Sequence, residues 1–315
     1  MTSTATELPM ILAGVEVVAV ERLSPSFVRV ELGGAALADL GVAGPLLDQR
    51  FKLVFPNACG ELPDVTGADE SWFGSWLDRP AEERGHLRTY TIREQLGSGA
   101  DTRIVVDIVL HLEPGATGPG AAWAATAAVG DRLVTLAPRA GAGFGGIEFD
   151  SSSAGPQPRL LLVGDETAVP AISGILRDLP PGSRGAAFLE VPVSGDVLDV
   201  VAPVGVEVVW LPRDGAPLGE KLHGAVLAHL GEADAAPVIE TDEVDPDLWE
   251  TPTYSSSGEA LIEAAPGVDA DLYAWIAGEA GVVTGLRRHL VRDRGIDRRQ
   301  VAFMGYWRRG VAMRS

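Results

Sequence analysis

Residues 159–172 read RLLLVGDETAVPAI, and the fold class of the second half of the chain turns on them. Leu160–Val163 is an unbroken apolar run ending at Gly164, the pattern of a strand buried on both faces. Val169, Ile172, Ile175, Leu176 and Leu179 then recur at helical spacing. Downstream, AAFLEV (186–191), VEVVWL (206–211), DLYAWIA (271–277) and QVAFMGYW (300–307) repeat the strand pattern. Helices are expected around 218–230 and over 282–293. Strands alternating with helices imply crossover connections and a parallel sheet. The acidic, proline-containing segment 232–258 is expected to be an ordered surface loop or insertion.

Upstream, SSSAGPQP (151–158) is a polar Pro/Gly-rich linker, and everything before it reads as β. Residues 15–32 hold two alternating runs around Ser24-Pro25-Ser26, followed by FKLVF (51–55), TYTIR (89–93), TRIVVDIVLHL (102–112) and GDRLVTLAP (130–138). Glycine and proline punctuate these runs at short intervals, as in an antiparallel barrel or sandwich. AAWAATAAV (121–129) is the one short helix expected there. The organisation is therefore an all-β domain over 1–150, a linker over 151–158, and an α/β domain over 159–315.

The 315 residues carry 25 basic and 44 acidic side chains, a formal charge of −19. That balance excludes a nucleic-acid binder, which needs a basic footprint. Lysine occurs only at Lys52 and Lys221, so arginine supplies nearly all the positive charge. The single cysteine, Cys59, excludes an internal disulfide, a Cys-ligated cluster and a multi-Cys zinc site. No apolar run reaches the ~18 residues of a membrane span, and the N-terminus lacks the basic region of a secretory signal. A cytoplasmic protein without membrane insertion is expected, with a monomer as the default state.

Four clusters could carry chemistry. In Arg88-Thr89-Tyr90-Thr91-Ile92-Arg93, strand alternation puts Arg88 and Tyr90 on one face and Thr89, Thr91 and Arg93 on the other. A guanidinium suits bidentate phosphate contact and an aromatic can cover a flat ring; a barrel strand with a polar face is the plainer reading. The second cluster runs from Asp107 through His111 to Gly118, Ala121, Ala122 and Trp123, where small residues let backbone approach a pyrophosphate. Taken alone, His111 is more often a structural histidine. The third, Gly164-Asp165-Glu166-Thr167-Ala168-Val169-Pro170, sits where a strand feeds a helix and phosphates dock in such sheets; Asp165 or Thr167 capping the helix is the equal alternative. The fourth, Ala277-Gly278-Glu279, is another strand end entering a helix. Arg287, Arg288 and Arg292 read as a solvated helix face.

Together, RTYTIR (88–93), VDIVLH (106–111), GDETAVPAI (164–172), WIAGEAG (275–281) and GYWRRG (305–310), in this order, resemble the siderophore-interacting protein family, flavin-dependent ferric-siderophore reductases of the ferredoxin–NADP reductase superfamily. The resemblance spans about Val15 to Gly310. It implies a Greek-key β-barrel binding FAD and a Rossmann-like domain binding NADPH or NADH as electron donor. It further implies Arg88 at the FAD pyrophosphate, Tyr90 stacked on the isoalloxazine and Thr91 near the reacting flavin nitrogen, with Tyr90 and Thr91 as the catalytic pair. Thr89, Arg93, Asp107, His111 and the Gly118–Trp123 segment would hold the rest of FAD. Gly164, Asp165, Thr167, Pro170, Ala277, Gly278 and Glu279 would lie beside the nicotinamide nucleotide, and Lys52 near a pocket for the ferric siderophore. Two departures stand out: Gly118-Pro119-Gly120-Ala121 lacks a serine the family usually carries, and Ala137-Pro138-Arg139-Ala140 replaces a Gly-Pro-Arg-Gly turn. Glu190 favours a ribose 2′-hydroxyl and hence NADH, whereas Arg213, with Arg184 as a further candidate, favours the 2′-phosphate of NADPH. The expectation leans to NADPH on Arg213. No permanent metal site is expected. The alternatives are a general NAD(P)H:flavin or acceptor reductase and a non-catalytic siderophore-binding module.

Overall fold

The computed structural model describes residues 8–80, 82–112, 117–232, 249–251, 254–255 and 269–310. The chain divides after Ile147 into two compact units.

The first unit is an antiparallel sheet of β1 (Met10–Arg22), β2 (Phe27–Gly33), β3 (Arg50–Phe55), β4 (His86–Thr91), β5 (Glu94–Leu96), β6 (Arg103–Val109) and β7 (Arg132–Pro138), in the order β4-β3-β7-β1-β2-β6-β5. Only Ile92 and Arg93 separate β4 from β5, so one continuous stretch lies on both edges of the sheet. Ile92 N–H donates to Gln49 O and Arg93 N–H to Val105 O, which closes the sheet into a barrel. Alternation along the strands fills its interior with Ile11, Val15, Val30, Leu32, Phe51, Leu53, Phe55, Ile104 and Val106.

The outer face of β3 and β7 is also apolar at Val54, Val134 and Leu136. The short helix α1 (Trp72–Leu77) covers it, with Trp76 buried against these residues. The rings of Trp72 and Phe73 each stack 5.9 Å from that of Trp76, whose indole N–H donates to Arg84 O at 2.7 Å. Six residues are too few for helical periodicity to register in the sequence. The helix expected at 121–129 is shorter: α2 spans Pro119–Ala124, and a turn from Thr126 N–H to Trp123 O follows it.

In the second unit β8 (Arg159–Gly164), β9 (Arg184–Val191), β10 (Val206–Pro212), β13 (Leu272–Glu279) and β14 (Val301–Trp307) are parallel in the order β10-β9-β8-β13-β14. An antiparallel hairpin of β11 (Trp249–Thr251) and β12 (Tyr254–Ser255) extends the β14 edge. The intervening helices are α3 (Val169–Asp178), α4 (Glu220–His229) and α5 (Ala280–Arg288). Leu222 and Val226 of α4 and Val282, Val283 and Leu286 of α5 pack on Leu161, Val163, Ala274 and Ile276. Successive strands run outward from β8 to β10, then resume beside β8 with β13. This reversal falls between β8 and β13, whose carboxyl ends are the usual ligand position in open α/β sheets.

The linker stretch belongs to this unit: Ala154 is buried and Ser153 Oγ donates to Arg299 O at 2.6 Å. The helix expected over 282–293 is α5 followed by a π-turn at His289–Asp293. Apart from Glu232 and the two hairpin strands, the acidic segment 232–258 lies outside the described residues. No described helix is long and apolar enough to cross a membrane.

Candidate functional site

In the barrel, the register of β3 against β4 sets the geometry: Arg50 faces Thr91, Phe51 faces Tyr90, Lys52 faces Thr89 and Leu53 faces Arg88. Pairs alternate between the two sides of the sheet. Tyr90 packs on the interior core, its ring 5.9 Å from Phe55 in an edge-on arrangement. The Trp123 ring of α2 lies 5.3 Å from that of Phe55. Gly120 makes this possible, because a Cβ there would sit 2.0 Å from the Tyr90 hydroxyl oxygen. Burial lowers the pKa of the Arg88 guanidinium and raises that of the Tyr90 phenol. Arg88, Tyr90, Ala121 and Trp123 thus come together beside α2, and Gly118 at its start faces open space.

The other side of β4 carries a second feature. Lys52 Nζ donates to Thr89 Oγ1 at 2.8 Å, and both residues line a cavity of about 520 Å³. Trp72, Phe73, Leu12, Leu136 and Phe144 form its apolar walls, with Asp69 and Glu70 at the side. Burial, with Arg50 nearby, lowers the Lys52 pKa. Thr89 therefore shares the Lys52 cavity, on the face opposite Tyr90.

Arg93 and Asp107 come together as well. Asp107, buried on β6, takes a two-point contact from Arg29 at 2.7 and 2.8 Å, and Arg93 Nε lies 3.7 Å away. Any contact these two residues make with a ligand would come on top of this ion triad. Arg29 was not singled out in the sequence; its register position opposite Asp107 is a tertiary fact. His111 follows β6, two residues beyond its end.

In the α/β unit, Asp165 lies where the strand order reverses. Its Oδ1 accepts from Thr167 N–H (2.9 Å) and Thr167 Oγ1 (2.5 Å), and its Oδ2 from Glu279 N–H (2.7 Å) and the Trp307 indole (2.8 Å). Asp165 is buried, and desolvation with neighbouring Glu166 pushes its pKa up to about 6. Gly278 admits the carboxylate: its φ is +148° and a Cβ there would fall 2.7 Å from Asp165 Cγ. Glu279 caps α5, one oxygen accepting from Gly281 and Val282 N–H and the other from Arg309 N–H. Gly164, Asp165, Thr167, Ala277, Gly278 and Glu279 are therefore one constellation, joined by Trp307, to which the sequence reading gave no role. Pro170 lies in the first turn of α3. Arg213 sits apart from these, in an ion-pair cluster with Glu166 and Glu190. Among the described residues, no group of three or more His, Cys, Asp or Glu side chains could hold a metal ion.

An antiparallel barrel followed by a parallel α/β unit with its switch point at Asp165 is a ferredoxin reductase-like fold. The ferredoxin–NADP+ reductase of Plasmodium falciparum shares this fold, at a TM-score of 0.56 and 9% identity over 93% of this chain and 95% of that one. Residues 16–142 match the siderophore-interacting FAD-binding domain and residues 157–310 the siderophore-interacting protein domain. An uncharacterised Mycobacterium tuberculosis protein is 34% identical over 94% of this chain and 89% of its own. The ferric vibriobactin reductase of Vibrio cholerae is 26% identical, over 91% and 86%. The crystal structure of a siderophore utilization protein from T. fusca covers 99% of this chain and 98% of that one, at 29% identity and a TM-score of 0.66. The chain belongs to the siderophore-interacting protein family.

Proposed function

We propose that this protein is an FAD-dependent NAD(P)H reductase that releases iron from ferric siderophores. The observation that carries the reading is the two-sided closing strand. One face presents Arg88 and Tyr90 beside a glycine-bearing helix start, and the other presents Lys52 and Thr89 to a cavity of about 520 Å³.

The residues of the first face suit FAD. A guanidinium with reduced hydration is matched to a pyrophosphate, Gly118 allows backbone approach, and the Tyr90 and Trp123 rings offer flat apolar surface. Ala121 replaces the usual serine, so contacts at that point would fall to backbone N–H groups. FAD held by these residues would supply the chemistry that matches a two-electron nicotinamide donor to a one-electron ferric acceptor. The protein's own task is then positioning, because hydride transfer depends on geometry more than on acid–base groups. Tyr90 would orient the flavin with its ring and Thr91, whose side chain lies on the opposite face of β4, through its backbone, and the Asp165–Gly278–Glu279 constellation would seat the nicotinamide.

On the second face, the Lys52 ammonium offers charge to an anionic chelate and the aromatic wall offers contact to its apolar parts. Hard oxygen donors hold Fe(III) far better than Fe(II), so reduction frees the metal without cleavage of the chelator. A nicotinamide nucleotide as donor supports a cytoplasmic location for this activity.

The test is the visible spectrum of the purified protein. Flavin bands should bleach anaerobically with NAD(P)H and return on addition of a ferric siderophore, with Fe(II) captured by a chromogenic chelator. Turnover of free flavin and artificial acceptors without ferric siderophores would indicate a general flavin reductase. Chelate binding without bleaching would indicate a binding module.

A further inference from the structure

Two residues at the carboxyl ends of neighbouring strands bear on which nicotinamide nucleotide this unit accepts. Glu190 belongs to the end of β9, and Arg213 directly follows β10. Neither stands open to a ribose. Arg213 makes a two-point contact with Glu166, Nη1 to Oε2 at 2.7 Å and Nη2 to Oε1 at 2.9 Å, and its Nη1 lies 3.3 Å from Glu190 Oε2. Glu190 also accepts from the backbone N–H groups of Gly219 and Leu222 where α4 begins. The side chains of Glu166, Glu190 and Arg213 are 1%, 0% and 14% exposed.

From this arrangement we infer that the α/β unit selects a nucleotide with a free ribose 2′-hydroxyl, NADH over NADPH, and that Glu166 is the positioning residue that enforces the choice by holding Arg213. The inference rests on the nicotinamide reading above. A 2′-phosphate at this edge would have to take the guanidinium from Glu166 and leave a buried carboxylate without its partner, a costly arrangement. The local charge adds to the refusal: Asp165, Glu166 and Glu190 oppose one arginine, so a phosphate dianion enters a negative field. Among the described residues, neither Lys221 nor Arg184 restores the balance. Lys221 donates to Pro212 O and lies near Asp214. Arg184 stands at the opposite end of β9, paired with Asp271 at 3.2 Å.

The holoprotein is assayed for anaerobic flavin reduction by NADH and NADPH, and the binding of AMP and 2′-phospho-AMP is measured by calorimetry. The expected result is a tenfold or greater preference for NADH in kcat/KM, with tighter binding of AMP than of its 2′-phosphate. Glu166→Gln should narrow the preference at least tenfold, through the KM for NADPH and with little change in kcat. A wild-type preference for NADPH, tighter binding of 2′-phospho-AMP, or an unchanged ratio in Glu166→Gln would overturn the inference and leave the nicotinamide reading standing. If neither dinucleotide reduces the flavin and neither mononucleotide binds, both fall. The wild-type comparison decides the matter even if Glu166→Gln does not fold.

Discussion

The indole of Trp307 donates to Oδ2 of Asp165 at 2.8 Å, tying the last strand of the sheet to the turn that follows its first. With Thr167 and the Glu279 amide, four donors converge on one buried carboxylate. The pKa of Asp165 is nevertheless pushed up to about 6, because burial and Glu166 outweigh those donors. A carboxyl raised above its unfolded value of 3.8 stabilises the fold fully below that value and loses the contribution as pH rises through about 6. Urea unfolding of the wild type should show this pH-dependent loss and Asp165→Asn should lack it. Trp307 emission should change with a midpoint near the same pH, a change missing from Trp307→Phe. A flat stability profile across this range would refute the assignment.

Gly120→Ala should lower stability by about 1–3 kcal/mol, the usual cost of overpacking, because the added methyl falls on the Tyr90 hydroxyl. The displaced α2 should also retain less FAD. Tyr90→Ala should weaken flavin retention without the steric penalty, and unchanged flavin occupancy in that variant would remove Tyr90 from the site.

Asp107→Ala leaves Arg29 and Arg93 facing a half-buried gap. Breaking one side of such a pair costs about 3 kcal/mol, readable as a lowered denaturation midpoint. Exchanging Arg29 and Asp107 for apolar residues of similar volume should recover much of the loss. No recovery in the double variant would point to a role beyond packing.

Lys52→Ala should raise KM for anionic ferric chelates while leaving KM for the nicotinamide nucleotide unchanged. Phe73→Ser, which strips apolar surface from the same cavity wall, should weaken chelates bearing aromatic or aliphatic arms more than small hydrophilic ones. Equal effects on donor and acceptor would detach the cavity from the substrate.

Gly278→Ala should be among the most disruptive single changes in the α/β unit. It forces a side chain into a positive-φ conformation and against the Asp165 carboxylate at once. A variant with wild-type melting behaviour would contradict the close approach.

By itself, the sequence determined the two architectures and their order. Unbroken apolar strands and alternating ones differ in how many faces they bury, and that difference is local to each stretch. RLLLVG coincides with β8 at both ends, and the motif residues of GDETAVPAI and WIAGEAG converge as their strand-end positions imply. Only the tertiary structure decided what those side chains touch. Arg213 reads as an available cation until β8 brings Glu166 beside it. Thr89 reads only as facing away from Tyr90 until β3 brings Lys52 beside it. Trp307, 142 residues from Asp165, leaves no local pattern at all. Periodicity records which way a side chain faces along its own strand, whereas partners are supplied by chain segments whose approach depends on the closed fold.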